Sequence, residues 1–279
     1  MTPLRFAVIG DPVSHSKSPA MHAAALQALG LPHTYEAIRT TADELPGVVQ
    51  ALREGRFAGL NVTVPHKTAV LALVDDLDAS ARFTGAANTL VRGPEGRVVA
   101  YNTDAPALAS VISVLLEDDG PVALKKRGLV LGSGGAARAA VAALHLLGMT
   151  DVVVRSRKPG PVFELSKGFP AWQPWAADEA SEALTSVVVQ ATSAGMTGAD
   201  PGEAVAGVVA WNALTQSAVA VDVIYAPPST PFLQAAGRRG LRGGGGLGML
   251  AVQGGLALEL WLQVSAPLDV MLAAIDQDA

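Results

Sequence analysis

A glycine-rich turn between an apolar run and an alanine-rich stretch sets the fold class of this chain. Residues 132–137 read Gly-Ser-Gly-Gly-Ala-Ala, the pattern G-x-G-x-x-A, directly after the apolar residues 129–131. A strand that leads through such a turn into a helix is the dinucleotide-binding unit of Rossmann-type proteins. Gly132 permits the tight turn, Gly134 lets the backbone approach a pyrophosphate, and the helix N-terminus supplies N–H groups. A tight turn in an unrelated α/β protein is the alternative, but both flanks favour dinucleotide binding.

The residues after the next predicted strand indicate which dinucleotide would bind. In NAD-binding proteins an Asp or Glu about 20 residues beyond the turn holds the ribose hydroxyls. Here Ser156-Arg157-Lys158 occupy that region, and no acid follows before Glu164. A carboxylate would repel a 2′-phosphate, whereas the Arg157 guanidinium can grip one with a planar set of donors. The sequence therefore predicts NADP, with an ordinary solvated basic turn as the alternative.

Composition excludes several other classes of protein. The 279 residues are 50% hydrophobic and 16% charged, which provides a substantial core and suits two domains. A net charge of −5 without a basic tract argues against a nucleic-acid ligand, and the absence of cysteine excludes disulfides and cysteine-ligated zinc. The most apolar late segment, residues 247–264, is interrupted by polar residues and predicts a buried helix rather than a membrane span. We expect a cytoplasmic protein without metal, nucleic-acid or membrane partners.

Short β-rich runs alternate with helical stretches along the chain, which is typical of α/β proteins with largely parallel sheets. Glycine and proline between residues 93 and 96 predict a hairpin. The predicted strands are 6–9, 58–62, 89–91, 98–100, 129–131, 152–154, 187–189 and 219–221. The predicted helices are 20–29, 42–54, 105–116, 136–147 and 247–262.

Polar residues that could carry chemistry follow the predicted strands of the first half. A nicotinamide enzyme that acts on an alcohol needs a group to take the hydroxyl proton as hydride leaves. There is no Tyr-x-x-x-Lys dyad and the five histidines are scattered, so Lys67, just beyond the strand 58–62, is the leading candidate. Asp104 opens the helix that follows another strand. A surface lysine and a helix N-cap are the alternatives, and spacing alone leaves them open.

A third polar cluster, Ser14-His15-Ser16-Lys17-Ser18-Pro19, follows the first strand. Hydroxyls at alternate positions suit recognition of a carboxylate or a polyol. The alternative is a helix start with Ser18 as N-cap and Pro19 at the first helical position. Both can hold together, because a helix N-terminus also attracts an anion.

Seven blocks of sequence occur in one order across nearly the whole chain. They are residues 10–19 (GDPVSHSKSP), 61–67 (NVTVPHK), 85–89 (GAANT), 102–104 (NTD), the turn at 132, 191–196 (ATSAGM) and 246–253 (GLGMLAVQ). Together they resemble the shikimate dehydrogenase family. The chain departs from the family where Ser156-Arg157-Lys158 replaces a usual Asn-Arg-Thr and where Gln190 replaces an Asn.

The resemblance implies reversible reduction of 3-dehydroshikimate to shikimate with NADPH, in aromatic amino-acid biosynthesis. It implies that Lys67 and Asp104 are the catalytic pair, with Lys67 the proton acceptor in the oxidising direction. The implied substrate-binding residues are Ser16, Ser18, Thr63, Lys67, Asn88, Asp104, Tyr225 and Gln253. The implied cofactor-binding residues are Gly132, Ser133, Gly134, Gly135, Ala136, Ser156, Arg157, Lys158, Thr192, Ser193, Val223 and Gly246.

The resemblance also implies a two-domain α/β fold. Residues 1–104 and 247–279 would form a substrate domain with a mainly parallel sheet, to which the C-terminal helices return, and residues 105–246 a Rossmann-type domain. A quinate/shikimate dehydrogenase that uses NAD and a non-catalytic ligand sensor are the alternatives. Ser16 and Ser18, with no acid after the second cofactor strand, favour shikimate and NADP, and the presence of Lys67 and Asp104 favours an enzyme. The expected assemblies include a homodimer.

Overall fold

A computed structural model describes residues 2–116, 127–157 and 170–276, so the cofactor candidate Lys158 lies outside the described residues. The chain forms two compact units. The first contains the chain up to Asp104 together with the segment from Leu250, and the second contains Ala105–Met249. Among the described residues, none of the helices is both long and apolar enough to cross a membrane. The predicted α/β class is confirmed, because each unit is built on a mainly parallel sheet.

The elements follow the predicted alternation. The first part of the chain contains β1 (Arg5–Gly10), α1 (Ser18–Ala28), β2 (Thr34–Arg39), α2 (Leu45–Arg53), β3 (Gly59–Val62), β4 (Asp76–Leu77), α3 (Ala79–Thr84), β5 (Thr89–Arg92), β6 (Val98–Tyr101) and α4 (Asp104–Leu116). The rest contains β7 (Arg127–Leu131), α5 (Gly135–Leu146), β8 (Val152–Arg155), β9 (Ala171–Gln173), α6 (Glu179–Glu182), β10 (Thr185–Gln190), α7 (Glu203–Ala206), β11 (Val219–Asp222), α8 (Pro231–Arg238), β12 (Arg242–Gly244), α9 (Gly246–Leu262) and α10 (Leu268–Asp276).

The sheet of the first unit has the strand order β2-β1-β3-β5-β6-β4. Only β5 runs against its neighbours β3 and β6, and the predicted hairpin between β5 and β6 is confirmed. Strand β1 pairs in parallel on both sides, with β2 and β3. Its residues Phe6 to Ile9 are all buried, as expected for an inner parallel strand covered on both faces.

The sheet of the second unit is entirely parallel, in the order β12-β11-β10-β7-β8-β9. The chain runs from β7 outward through β8 to β9 and then returns to the other side of β7 at β10. Ligands of open α/β sheets bind beyond the carboxyl ends of the strands at such a reversal. Gly128 lets α5 lie close on β7, because a Cβ there would meet a Leu144 methyl at 2.6 Å.

Two helix starts, those of α1 and α2, differ from the sequence expectation by more than one residue. Helix α2 begins at Leu45 rather than at residue 42, because the Glu44 carboxylate accepts hydrogen bonds from the Thr41 N–H and hydroxyl at 2.8 and 2.9 Å and holds a turn before the helix. Helix α1 has Lys17 as its N-cap residue, and Ser18 is already helical. The prediction of Ser18 as N-cap is therefore wrong.

Candidate active site

Lys67 and Asp104 form an ion pair at the carboxyl edge of the first sheet. Lys67 lies in the turn after β3, and Asp104 is the first residue of α4, just beyond β6. The Lys67 Nζ atom lies 2.6 Å from Asp104 Oδ2, and the two side chains are 19% and 7% exposed. Lys67 is therefore not a surface lysine. An ion pair this buried needs further hydrogen bonds to offset the loss of hydration.

The amide of Asn88 supplies one of those hydrogen bonds. Its Nδ2 group lies 2.9 Å from Asp104 Oδ1, 2.8 Å from Thr103 Oγ1 and 3.2 Å from Gln253 Oε1, so three acceptors share two hydrogens. The Asn88 Oδ1 atom accepts from the Thr103 N–H at 2.8 Å. Both ends of the amide are thus engaged, which fixes its orientation and that of the Asp104 carboxylate.

Gln253 reaches this cluster because the part of α9 that belongs to the first unit packs closely on α1 and β3. The neighbouring Gly254 has no side chain, and a Cβ there would come within 2.2 Å of the Met21 methyl. Further along, the Trp261 indole N–H donates to the Leu90 carbonyl at 3.0 Å and its ring fills the space that a side chain at Gly59 would need. Gly254 and Gly59 therefore allow α9 to lie close to α1 and β3, and this close packing places Gln253 near Asn88.

Residues 14–19, the serine loop, lead into α1. Ser16 is half-buried and Ser18 is buried, and the Ser18 N–H donates to Ser16 Oγ at 3.3 Å. The Lys17 side chain points to α10, where its Nζ donates to the Ile275 carbonyl at 2.7 Å. Both serines lie at the start of an eleven-residue helix, where N–H groups and the helix dipole favour an anion. Thr63, also half-buried, follows β3 in the same unit.

Asn61 is a site residue that was not predicted from the sequence as a ligand. Its side chain is buried in β3, and Nδ2 donates to the Asn88 carbonyl and to Thr89 Oγ1, both at 3.1 Å. Its Oδ1 accepts from the Tyr35 hydroxyl at 2.7 Å. An amide within an otherwise apolar buried strand was the signal that could have identified it. Asn61, Asn88 and Gln253 are called the amide network below.

The glycine turn of the second unit has the geometry that a dinucleotide requires. Gly132 has φ of +114°, and a Cβ there would lie 3.0 Å from both the Ala191 carbonyl and the Thr192 methyl. Helix α5 begins immediately after Gly134, and a Cβ at Gly134 would meet nothing within 4 Å. The turn therefore leaves open space at a helix N-terminus, into which phosphate oxygens fit. Ser133, Gly135 and Ala136 are half-buried around it.

The two arginines at the end of β8 differ in environment. Arg155 is fully buried and pairs with Glu182 at 2.7 Å, with further donations to the Val208 carbonyl and to Gln173 Oε1, both at 2.6 Å. Arg157 is exposed. Ser156 is buried, and its Oγ accepts from the Trp172 indole at 3.2 Å. Of the predicted phosphate-binding residues, Arg157 is thus the one whose charge faces solvent within the described part of the turn.

The remaining cofactor candidates follow β10 and β11. Gln190 organises the first of these turns, since its side chain accepts from the Thr192 N–H at 2.5 Å and donates to the Ala194 carbonyl at 2.9 Å. Ser193 lies in this turn. The backbone at Gly246 lies against the Val223 carbonyl. A Cβ at position 246 would be only 2.3 Å from that oxygen, so glycine is required there.

Asp222 anchors the second of these turns. Its carboxylate accepts from Thr230 Oγ1 at 2.6 Å and from the Ile224 N–H at 2.9 Å, and burial raises its pKa to about 6. Tyr225 follows in the same turn of the second unit. It is therefore the one predicted substrate-binding residue that lies outside the first unit.

Known proteins share much of this sequence. Residues 8–90 match the family model described as the shikimate dehydrogenase substrate binding domain. A curated shikimate dehydrogenase (NADP(+)) from Lysinibacillus sphaericus is 37% identical over 92% of this chain and 91% of its own length. The chain belongs to the shikimate dehydrogenase family.

Solved structures of similar proteins cover the whole chain. The shikimate 5-dehydrogenase of Thermus thermophilus, in complex with NADP(H) and shikimate, is 39% identical with a TM-score of 0.84, and the match covers 99% of this chain and 100% of that one. The ligand-free 5-ketofructose reductase of Gluconobacter sp. strain CHM43 has the same TM-score at 28% identity, and that match covers 100% of both chains. The family architecture thus also occurs in a protein named for a different substrate.

Within this shikimate dehydrogenase family member, the predicted residues of the first unit converge at one sheet edge. Lys67, Asp104, Asn88 and Gln253 are joined by direct hydrogen bonds. The predicted cofactor residues lie in turns after β7, β8, β10 and β11 of the second unit and at the start of α9. The role of each individual residue stays a prediction.

Proposed function

We propose that the protein reduces 3-dehydroshikimate to shikimate with NADPH and catalyses the reverse oxidation with NADP⁺. The observation that carries the proposal is the partly buried Lys67–Asp104 pair, whose Nζ and Oδ2 atoms are 2.6 Å apart and whose carboxylate is held by the Asn88 amide. The chain that carries this pair belongs to a family whose curated members are named NADP-dependent shikimate dehydrogenases. The arrangement supplies a positioned proton donor and acceptor, which interconversion of a ketone and an alcohol requires.

Lys67 moves the proton. In the reducing direction, its Nζ gives a proton to the substrate carbonyl oxygen as that oxygen becomes a hydroxyl, and in the oxidising direction Nζ takes the proton back. Asp104 keeps the ammonium in place through the 2.6 Å contact. Asn88 binds the other carboxylate oxygen and so prevents Asp104 from turning away. A proton-transfer group positioned in this way contributes about 10²–10⁴-fold to a rate.

The side chains around Lys67 and Asp104 bind the substrate. Ser16 and Ser18 bind the carboxylate of the substrate at the N-terminus of α1, where the helix dipole adds a favourable field. Thr63, Asn88 and Gln253 bind ring hydroxyls. Because these side chains are buried or half-buried, packing already restricts their rotamers. Substrate binding therefore costs little additional side-chain entropy.

The second unit fits NADP. The turn at Gly132 offers open space and the N-terminus of α5 to the pyrophosphate, and the exposed Arg157 binds the 2′-phosphate. The Glu182 carboxylate pairs with the buried Arg155 guanidinium at the end of β8, so its charge does not oppose a phosphate. When bound, NADPH supplies the hydride of the reaction. Thr192, Ser193, Val223 and Gly246 complete the cofactor site.

The alternatives differ from this proposal in specific residues. A quinate dehydrogenase that uses NAD is disfavoured by the two serines and by Arg157. A ligand sensor without activity is disfavoured because Lys67 and Asp104 are both present and paired. A ketosugar, the substrate type named for the Gluconobacter protein, carries no carboxylate for Ser16 and Ser18.

The test is an absorbance assay of reduced nicotinamide with shikimate or quinate, each with NADP⁺ or NAD⁺, and with 5-ketofructose and NADPH. We expect turnover mainly with shikimate and NADP⁺. Dominant quinate, NAD⁺ or 5-ketofructose activity would reassign the substrate or cofactor. If folded protein that still binds NADP shows no turnover in any of these assays, the ligand-sensor alternative would be favoured. A cytoplasmic location and a homodimer remain predictions.

A further inference from the structure

Arg155 is a charged residue in the interior of the second unit. It is the last residue of β8, and neither its side chain nor that of Glu182 on α6 has exposed surface. Two carboxylate oxygens face the guanidinium, because Nη1 lies 2.7 Å from Glu182 Oε1 and Nη2 lies 3.1 Å from Oε2. A two-point contact of this kind fixes the orientation of both groups as well as their distance.

The same guanidinium binds two further segments of the chain. Nη1 donates to the Val208 carbonyl and Nη2 donates to Gln173 Oε1, both at 2.6 Å. Glu182 Oε1 in turn accepts from the Ala210 N–H at 2.9 Å. The pair therefore joins the end of β8 to β9, to α6 and to the segment before β11.

The Arg155 backbone lies between the two turns proposed to bind the phosphates of the cofactor. Its carbonyl accepts from the Gly132 N–H at 2.9 Å, which connects it to the turn proposed for the pyrophosphate. Ser156 and the exposed Arg157, proposed for the 2′-phosphate, follow directly in the chain. The Ser156 N–H donates to the Gln173 carbonyl at 3.3 Å, so the β9 residue that binds the Arg155 side chain also holds the next residue of the turn.

Stability alone does not explain a charged pair at this place. Both charges lose their hydration on burial, and apolar residues of similar volume are often as stable or more stable than a buried ion pair. Among the described residues, Arg155 Nε has no hydrogen-bond partner, which adds to that cost. An apolar residue would also continue the run Val152 to Val154. What the guanidinium adds is contact in three fixed directions, which an apolar side chain cannot make.

We propose that Arg155 is a positioning residue that sets the spacing between the turn at Gly132 and the guanidinium of Arg157. This inference rests on the proposed function, in which those two groups bind NADP. The pyrophosphate and the 2′-phosphate of NADP are attached to the same ribose, so their separation varies little. A protein that already holds both binding groups at that separation avoids an ordering cost on binding. Arg155 touches no part of the cofactor in this proposal.

The experiment removes both charges together in the variant Arg155→Met/Glu182→Leu, which leaves no unpaired buried charge. Calorimetry measures the binding of adenosine 2′,5′-bisphosphate and of adenosine 5′-monophosphate, which differ in the 2′-phosphate alone. The ratio of their two dissociation constants therefore reports the preference for that phosphate. We expect this preference to fall about tenfold, the loss of one hydrogen bond to a charged group, because Arg157 is present but no longer held in place.

The matched control is Arg127→Met/Asp151→Leu. It makes the same chemical change in an ion pair at the opposite, amino ends of β7 and β8, where Arg127 Nε lies 3.0 Å from Asp151 Oδ2. This variant should leave the preference for the bisphosphate unchanged.

Steady-state kinetics separate positioning from a general loss of structure. In Arg155→Met/Glu182→Leu the KM for NADP⁺ should rise about tenfold, with the KM for NAD⁺ changed less than about threefold and kcat changed less than about twofold. The KM for shikimate should not change, because the serine loop and the amide network lie in the first unit. Arg155→Lys keeps the charge beside Glu182 but has a single nitrogen for three partners, so its preference for the bisphosphate should lie between those of wild type and the double variant. If the double variant does not fold, Arg155→Lys carries the test, and a wild-type preference in it would overturn the proposal.

The outcomes distinguish this inference from the proposed function. An unchanged preference for the bisphosphate in the folded double variant overturns the role of Arg155 and leaves the dehydrogenase assignment intact. Equal losses for both nucleotides point to general damage and also overturn it. A wild type that does not oxidise shikimate removes the proposed reaction, and the binding ratio then decides the inference alone. A wild type that binds both nucleotides equally overturns the inference, because Arg155 would then have no 2′-phosphate site to position.

Discussion

Asp222 makes the stability of the second unit depend on pH. Burial raises the pKa of its carboxyl from the ordinary 3.8 to about 6, although hydrogen bonds from Thr230 and the Ile224 N–H oppose the rise. The folded protein therefore binds this proton more tightly than the unfolded chain does. The resulting stabilisation is complete below the unfolded pKa and is lost as the pH rises through the folded pKa.

The size of the effect follows from that shift. Integrated over both titrations, the contribution of Asp222 to the free energy of unfolding falls by ~2 kcal/mol between about pH 4.5 and about pH 7. The substitution Asp222→Asn removes the titration but keeps the shape, because the Asn oxygen accepts from Ile224 and its amide donates to the Thr230 hydroxyl. Relative to wild type, the variant should gain those ~2 kcal/mol as the pH rises across this range.

Urea unfolding at several pH values, followed by tryptophan fluorescence, measures this difference. Three of the four tryptophans, Trp172, Trp175 and Trp211, lie in the second unit and report its unfolding. Glu179→Gln is the control, since it removes an acidic charge from an exposed position of the same unit. Parallel stability curves for wild type and Asp222→Asn would refute the reasoning, and so would a variant that loses stability relative to wild type as the pH rises.

Three other predictions test Lys67 in the first unit, Arg157 in the second unit and the contact of Lys17 with α10. Lys67→Ala should lower turnover by about 10²-fold or more, because the proton-transfer group is lost, with shikimate binding by calorimetry largely intact; near-normal turnover would remove Lys67 from that role. Arg157→Ala should weaken NADP⁺ binding and leave NAD⁺ binding little changed, since only NADP⁺ carries the phosphate; equal losses for both cofactors would contradict the assignment. Lys17→Met should lower the unfolding free energy by about 1 kcal/mol through loss of the ammonium at the end of α10, with Lys17→Arg retaining most of it; a thermal scan with no difference between the two variants would exclude that contact as a source of stability.

Local patterns in the sequence predicted most of the regular structure. The strands at the centre of both sheets were found because buried parallel strands are continuous apolar runs, as at Phe6 to Ile9 and Val187 to Val189. The four edge strands β2, β4, β9 and β12 were missed, and the pattern also did not predict helices α3, α6, α7, α8 and α10. Strand β2 mixes polar and apolar residues, and the others contain between two and nine residues, so their pattern is too short or too mixed to stand out.

Some residues of the candidate site were also predicted from the sequence. Lys67, Asp104, Asn88 and Gln253 were identified by the blocks that resemble the family, and the turn at Gly132 was identified by physical argument alone. Asn61 and Tyr35 were not. Asn61 is the one polar residue of β3, whereas Tyr35 is one of several polar residues of β2, and nothing next to either of them in the chain indicates that the two meet.

What only the tertiary structure decided is which distant groups share a hydrogen bond. Residue type and spacing determine whether a segment becomes a strand, a helix or a tight turn, because those choices depend on neighbours within a few residues. The bonds from Tyr35 to Asn61, from Lys67 to Asp104, from Asn88 to Gln253 and from Lys17 to Ile275 join residues 26, 37, 165 and 258 positions apart. Such pairs form only when the sheet order and the close approach of α9 at Gly59 and Gly254 bring their backbones together. The sequence therefore determined the family and most of the central elements, and packing determined that Lys67 is a partly buried member of an ion pair rather than a surface lysine.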